Sequence, residues 1–335
     1  MVIKTDSTAA TGWPVFWHKG KQPPWWARLL EGLYCVVIAV KRLAYRLGWA
    51  KTTHLPVPVI LVGNRVVGGT GKTPLLLALV PILQAQGWRV GIVSRGYGRS
   101  DIKIRAVDAD STSELVGDEP LLLWQALQVP VWVGGNRVAA AQALLGNQTV
   151  DVIVSDDGWQ HWALGRDYVI EVVDASKAYG NCHCLPAGPL REAQNALPLP
   201  DLTLYNGREF SLTPVAWQNV FSQQRIALSE LSGEVVAMAG IGHPQRFFDT
   251  LEHLGLQLKG KQAWADHQSL TLAMIQAFDE GKMPLVMTMK DAVRCQGFAQ
   301  PHWWALVVET DLDASLLHPM LERITQLMSE KESNG

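Results

Sequence analysis

From residue 56 onward, short β-branched runs alternate with longer stretches of helical periodicity. "PVPVILVGN" (56–64) predicts a strand, and "KTPLLLALVPILQAQG" (72–87) predicts a helix closed by Gly87. "RVGIVSRG" (89–96) reads as a second strand, followed by a polar segment near 99–113. Then come a helix at "DEPLLLWQALQ" (118–128), a strand at "VPVWVGG" (129–135) and a helix at "NRVAAAQALLGN" (136–147). "VDVIVSDDG" (150–158), "DYVIEVVDA" (167–175) and "DLTLYNG" (201–207) add three more strands. Strand–helix alternation of this kind implies a parallel sheet covered by helices on both faces. Residues 174–200 are rich in Gly and Pro with little periodicity, which in an α/β fold reads as a functional loop.

Near 211–234 the register changes and the alternation restarts. "EVVAMAGIGHPQRFFDTLEHLGL" (234–256) is strand, glycine turn and helix, and residues 284–294 and 303–328 repeat the theme. A chain of 335 residues has room for about two domains. The expectation is therefore an α/β fold with a larger unit at 51–225 and a smaller α/β unit at 226–335, without a shared repeat.

Residues 1–50 form a third unit. Two prolines precede a helical pattern, "WWARLLEGLYCVVIAVKRLAYRLGWA", whose purely apolar run, Leu33 to Val40, is too short to cross a bilayer. Residues 1–52 carry eight basic side chains and two acidic ones, and Trp25, Trp26 and Trp49 flank the run. Aromatic rings and cations so placed suit a helix lying in the interface of an anionic leaflet, apolar side down and cations to the headgroups. Docking of the same amphipathic helix on the protein's own core explains the pattern equally well.

Composition narrows the class. With 48% hydrophobic and 18% charged residues the chain folds, and a net charge of −2 gives no general attraction to nucleic acid. The four cysteines form no spaced framework, and "CHC" (182–184) lacks the second ligand pair a zinc site needs. A reducing compartment follows.

The candidate chemistry begins at "GNRVVGGTGKTP" (63–74), between a strand and a helix, where a phosphate-cradling loop belongs. Backbone amides of Val66, Val67, Gly68, Gly69, Thr70 and Gly71 are placed to converge on an anion at the helix N-terminus. Lys72 reaches the β- and γ-phosphates, and the Thr73 hydroxyl ligates Mg²⁺. Val66 stands where the usual pattern has glycine, so this loop is a variant. Asp156 and Asp157 end a later strand, where a second carboxylate for the metal belongs. "TMKD" (288–291) fails the spacing of a guanine-reading tetrad, which favours ATP. Asp118 by itself reads as the cap of the helix that follows it, and His267 as a cap or surface residue.

"SRGYGR" (94–99), "VGDEP" (116–120), "GGNRV" (134–138), "SDDGWQH" (155–161), "LPAGPLRE" (185–192), "ADHQ" (265–268) and "KDAVR" (290–294) follow the glycine loop in that order. The series resembles the tetraacyldisaccharide 4′-kinases, the lipid A 4′-kinases of Gram-negative envelope biosynthesis, from the N-terminal helix to about residue 310. The resemblance implies a P-loop kinase at the cytoplasmic face of the inner membrane. Such an enzyme phosphorylates the 4′-hydroxyl of an acylated glucosamine disaccharide 1-phosphate with Mg-ATP; the sequence makes no obligate protein partner evident. The resemblance implies Asp118 as the base, tuned by His267 across a cleft between the two units. Arg95, Arg137 and Arg191 are implied as phosphate contacts, and Tyr97, Gln160, His161 and Glu192 as completing the site. Three positions depart from the family pattern: Val66 stands where relatives tend to have Ser or Thr, Met289 replaces an acidic residue, and "DHQ" replaces "DHH". Two alternatives stay open at this point, a P-loop ligase or kinase for a soluble small molecule and a nucleotide-gated membrane scaffold.

Overall fold

A computed structural model describes residues 13–196, 198–266 and 268–333. In chain order the first half comprises α1 (Trp25–Arg46), β1 (Val59–Gly63), α2 (Lys72–Ala85), β2 (Val90–Ser94), β3 (Arg105–Ala106), α3 (Ser113–Val116), α4 (Asp118–Leu127), β4 (Val131–Val133), α5 (Arg137–Asn147), β5 (Val152–Asp156), β6 (Tyr168–Asp174) and β7 (Leu202–Asn206). The second half comprises β8 (Phe210–Asn219), β9 (Arg225–Ala227), β10 (Glu234–Ala239), α6 (Pro244–His253), β11 (Gln257–Ala263), α7 (Leu272–Gln276), β12 (Leu285–Thr288), α8 (Met289–Cys295), β13 (Trp303–Leu312) and α9 (His318–Ser333).

The strands lie side by side in the order β11-β10-β12-β13-β8-β7-β6-β1-β5-β2-β4-β3, with β9 on β8. From β7 to β4 every pairing is parallel. The residues of β1, β2, β5 and β6 are all buried, as a sheet sandwiched between helices requires. The expected division near residue 226 falls inside β9. There β8 runs antiparallel along β13, from Asn219 opposite Trp304 to Phe210 opposite Leu312, so one ladder spans both units. Near the chain's end α9 returns to the first half, where Met320, Ile324 and Leu327 join Leu75, Leu79 and Ile170 in the largest core. Smaller cores built on Trp303 and Met287, and on Trp217 and Phe247, cover the two faces of the second half.

Helix α1 attaches by polar and aromatic residues. Glu31 accepts hydrogen bonds from His183 Nδ1 at 2.9 Å and from the Cys184 amide at 2.7 Å. Tyr34 donates to the Arg191 carbonyl at 2.7 Å, and Arg42 pairs with Glu192 at 2.8 Å. Leu29, Leu33, Val36, Val40, Leu43 and Leu47, spaced four and three apart, face outward, with Trp25, Trp26 and Trp49 exposed at the ends. Docking through the apolar face is thereby overturned. The expectation that the cations all point outward is corrected too. Lys41 donates to the Gln160 carbonyl at 3.2 Å, and Lys41 and Arg42 both lie over the Trp162 ring. An aromatic face and a buried carboxylate hold these charges against the protein. Among the described residues no helix is long and apolar enough to cross a membrane.

Candidate active site

The connection from β1 passes β5 to reach β2, while the connection from β5 passes β1 to reach β6. Connections diverging on either side of β1–β5 leave a crevice at the strands' carboxyl ends, where ligands bind in open α/β sheets. The glycine loop rises from β1 into this crevice. Its first turn is pinned: the Val67 amide donates to the Pro189 carbonyl at 3.0 Å and the Arg191 amide to the Arg65 carbonyl at 2.7 Å. Val66 is buried and bridged to Leu190, so the backbone of Val66 and Val67 serves this pairing. Beyond this pairing the loop runs from Gly68 to Gly71 into the start of α2 at Lys72.

Gly71, with φ of 99°, caps α2 in a left-handed conformation that suits glycine. A Cβ there would stand 2.6 Å from Asn206 Nδ2, which donates to the Thr70 carbonyl at 3.3 Å. The hydroxyl of Thr70 is buried without a hydrogen-bond partner. Lys72 opens α2, its Nζ donating to Asn64 Oδ1 at 3.3 Å and lying 3.8 Å from Asp157 Oδ2. Asn64 in turn donates to the Val66 carbonyl at 2.7 Å, bracing the loop from below. Pro74 follows Thr73 in the first helical turn, where its missing N–H interrupts no ladder bond.

Asp156 ends β5 and is buried. Ser94, at the end of β2, donates to its Oδ2 at 2.9 Å, while Oδ1 is buried without a partner. Burial first, then the nearby Glu119, pushes the carboxyl up to about 7 against the pull of Lys72. Asp157 goes the other way. Burial alone would raise it, but Lys72 and Arg191 prevail and hold it below the usual carboxylate range. Hard oxygen donors, one orphaned and under-neutralised, fit a divalent cation whose other ligands are water and phosphate. Thr73, Asp156 and Asp157 are the residues that would hold it. A protein cage of three His, Cys, Asp or Glu ligands is not required for magnesium, and none is present among the described residues.

Two of the three expected arginines, Arg137 and Arg191, meet Asp157. Arg191 Nη1 lies 3.3 Å from its carboxylate, and Arg137 Nη2 donates to its carbonyl at 2.8 Å. Burial brings Arg137 down to about 10, with Arg95 and Arg99 adding repulsion. His161, desolvated and facing Arg137, Lys41 and Arg95, falls to about 4. Gln160 adjoins it, with its side-chain nitrogen buried and unpaired. Arg95 and Tyr97 are exposed in the turn after β2. Glu192 is tied to Arg42 of α1, which places it beneath the helix.

Asp118 is the first residue of α4, whose cap is Gly117, so it does not serve as the N-cap. It meets α8 instead: Arg294 Nε and Nη2 approach its Oδ2 at 2.9 and 2.5 Å, and Lys290 Nζ lies at 3.7 Å. Lys290 also bonds Glu119 at 2.9 Å and Asp266 at 3.1 Å. His267 lies outside the described residues, and Asp266 beside it faces this cluster. Sequence reasoning gave no role to Asn64, Ser94, Glu119, Asn206, Lys290 or Arg294. The signal for the last two was the four-residue spacing within "KDAVR", which puts both cations on one face of a helix.

Similarity to known proteins gives the family. The model of the family described as "Tetraacyldisaccharide-1-P 4'-kinase" matches residues 24–326. A tetraacyldisaccharide 4′-kinase of Shewanella sp. (strain MR-4) is 41% identical over 326 residues, covering 95% of this chain and 97% of its own. That of Shewanella loihica is 42% identical over 312 residues, 91% of each chain. The chain belongs to this family. Among solved structures, the Aquifex aeolicus LpxK, an "apo" form described as in complex with ATP, superposes with a TM-score of 0.71. That kinase is 28% identical, and the match covers 89% of this chain and 97% of the other. A member of this family is a phosphotransferase with an alcohol acceptor.

Proposed function

We propose that the crevice above β1 and β5 is where this kinase moves the terminal phosphoryl group of ATP onto the 4′-hydroxyl of an acylated glucosamine disaccharide 1-phosphate. One observation carries the reading: Lys72, at the mouth of a glycine-capped helix, faces Asp157 at 3.8 Å on the end of the neighbouring strand. Phosphoryl transfer asks little covalent work of a protein, so positioning and charge stabilisation dominate. The amides from Gly68 to Thr73 and the Lys72 ammonium hold the phosphates. Bound magnesium supplies charge neutralisation of the phosphate oxygens, with Thr73, Asp156 and Asp157 as its protein ligands. Arg95, Arg137 and Arg191 offer planar donors to the remaining phosphates, including the acceptor's. Asp118 accepts the proton of the attacking hydroxyl, since a sugar alcohol is a weak nucleophile at neutral pH. In the same reading His267, outside the described residues, assists it.

The same reading gives α1 its place at the cytoplasmic face of the inner membrane. An acceptor held in the bilayer by acyl chains calls for an enzyme that sits on that surface. The outward stripe from Leu29 to Leu47, ending in Trp49, suits burial in the headgroup boundary. Lys41, bonded at the Gln160 carbonyl, brings the helix up to the His161 and Arg137 side of the crevice.

The test is transfer from labelled ATP to the acylated disaccharide 1-phosphate in mixed micelles, by wild type and Lys72→Ala. Label at the 4′ position with a loss of roughly a hundredfold or more in kcat for the variant is expected. An unaltered rate in Lys72→Ala overturns the assignment of the crevice.

A further inference from the structure

Asp118 belongs to the first half of the chain, and what grips it belongs to the second. Arg294 reaches Asp118 Oδ2 with two donors, Nε at 2.9 Å and Nη2 at 2.5 Å, while its Nη1 is fixed by Asp291 Oδ1 at 3.0 Å and the Gly240 carbonyl at 2.8 Å. Asp291 is held as firmly: it accepts from the Gly240 amide at 3.1 Å and from the Thr288 hydroxyl at 2.6 Å, and is fully buried. Gly240 has to be small, because a Cβ there would stand 2.7 Å from Arg294 Nη1 and 2.9 Å from Asp291 Oδ1. One side chain thus links the turn that follows β10 to the first residue of α4.

We propose that Arg294 is a positioning residue for phosphoryl transfer, aiming the Asp118 carboxylate and coupling its orientation to the seat of the second half. The proposal rests on the reading of Asp118 as the base. A buried ion pair contributes little net stability, because desolvating both partners offsets their attraction. Two guanidinium donors held at a fixed angle pin a carboxylate oxygen in place, which a freely rotating ammonium does not. Here the fork grips one oxygen of the acid, and Lys290, one turn earlier, spreads its charge over Glu119, Asp266 and Asp118. The two cations are not equivalent. Lys290 neutralises a group of acids, whereas Arg294 puts two donors on Asp118 and stands farther, at 3.6 Å, from Asp266.

The experiment measures kcat and KM for ATP and for the acceptor in Arg294→Gln, Arg294→Lys, Asp118→Asn and the double variant Asp118→Asn/Arg294→Gln, with thermal melts as a check on folding. Arg294→Gln is expected to lower kcat about tenfold or more with KM for ATP within about twofold, and Arg294→Lys to recover part of the loss. In the double variant the losses should not multiply, its kcat staying within about twofold of Asp118→Asn. A kcat within twofold of wild type for Arg294→Gln overturns the proposal, as do losses that multiply or a change confined to KM. If Arg294→Gln fails to fold, Arg294→Lys decides, and wild-type kcat in that variant rejects the fork. Asp118→Asn separates the two levels: wild-type kcat there removes the base itself, and the proposal with it. An inactive Asp118→Asn beside a fully active Arg294→Gln removes only the positioning role.

Discussion

A methyl group placed on Gly242 would stand 3.2 Å from the amide nitrogen of Gly69. The turn after β10 thus roofs the phosphate loop with bare backbone, and the neighbour it would meet is backbone too, which cannot swing aside. Gly242→Val is expected to displace the loop and lower kcat/KM for ATP, since at 3.2 Å a Cβ alone asks the Gly69 backbone to give by a few tenths of an ångström and misplacement near a reacting centre lowers the rate. Gly297→Ala, where a Cβ meets nothing within 4 Å, is the control and should behave as wild type. Steady-state kinetics at varied ATP checks both, and an unchanged Gly242→Val removes the roof from the mechanism.

Asn206 supports the loop from the opposite side. Its amide donates to the Thr70 carbonyl at 3.3 Å and lies against Gly71, in a fully packed corner beside Phe210. Asn206→Ala leaves that buried carbonyl without its donor, at a cost of about 1–3 kcal/mol of stability. A lower melting temperature with a KM for ATP raised several-fold is expected. Saturating ATP should recover most of the rate, because the substitution acts on the loop and not on Asp118, the proposed base.

How much of this was legible beforehand depends on whether the signal is local. The strand ends at Gly63 and Asp156 announce themselves, because fully buried parallel strands are unbroken apolar runs and their polar ends stand out. The glycine loop was readable for the same reason, yet its pinning by residues 189–191 was not, since a bridge from Val66 to Leu190 leaves no periodic trace. Nor was the union of the two units. Val307 opposite Ala216 and Thr310 bonded to the Pro74 carbonyl are single long-range pairings that neither segment encodes alone. The polarity of α1 was readable but its facing was not: the same stripe fits a core or a membrane, and Glu31 and Tyr34 decide it through partners far along the chain. Arg294 meets Asp118 in the same way, as one cation among many in the sequence.

His161 sets the pH dependence that distinguishes a desolvated histidine from a surface one. Its folded-state value falls to about 4, from an ordinary value of 6.5, because burial and then Arg137, Lys41 and Arg95 oppose the imidazolium. An unfolded chain binds that proton near pH 6.5 and the folded one does not. Stability from this group is therefore complete above about pH 6.5 and is lost as pH falls toward 4. Melting curves of wild type and His161→Gln should differ little in slope above pH 7. Below it the wild type should lose stability faster, so the gap between the two moves in the variant's favour by pH 5. Parallel curves from pH 7 to 5 would mean that the ring is solvated.

The outward face of α1 gives the sharpest test of the proposed membrane binding, apart from catalysis. Leu33 and Val40 are 63% and 62% exposed, so replacing both by aspartate removes no packing and should leave the melting temperature within the small range of surface changes. Each side chain buried in a headgroup boundary is worth about 1.5–3 kcal/mol, and aspartate adds repulsion from anionic lipid. Leu33→Asp/Val40→Asp is therefore expected to bind anionic phospholipid vesicles at least a hundredfold more weakly in a sedimentation assay. Its turnover on acceptor dispersed in detergent should stay near wild type, because the crevice lies behind the helix's polar face, where Tyr34 bonds the Arg191 carbonyl and Arg42 pairs with Glu192. Undiminished vesicle binding by the double variant would show that the stripe does not meet the bilayer. Equal losses on vesicles and in detergent would show that it shapes the site instead.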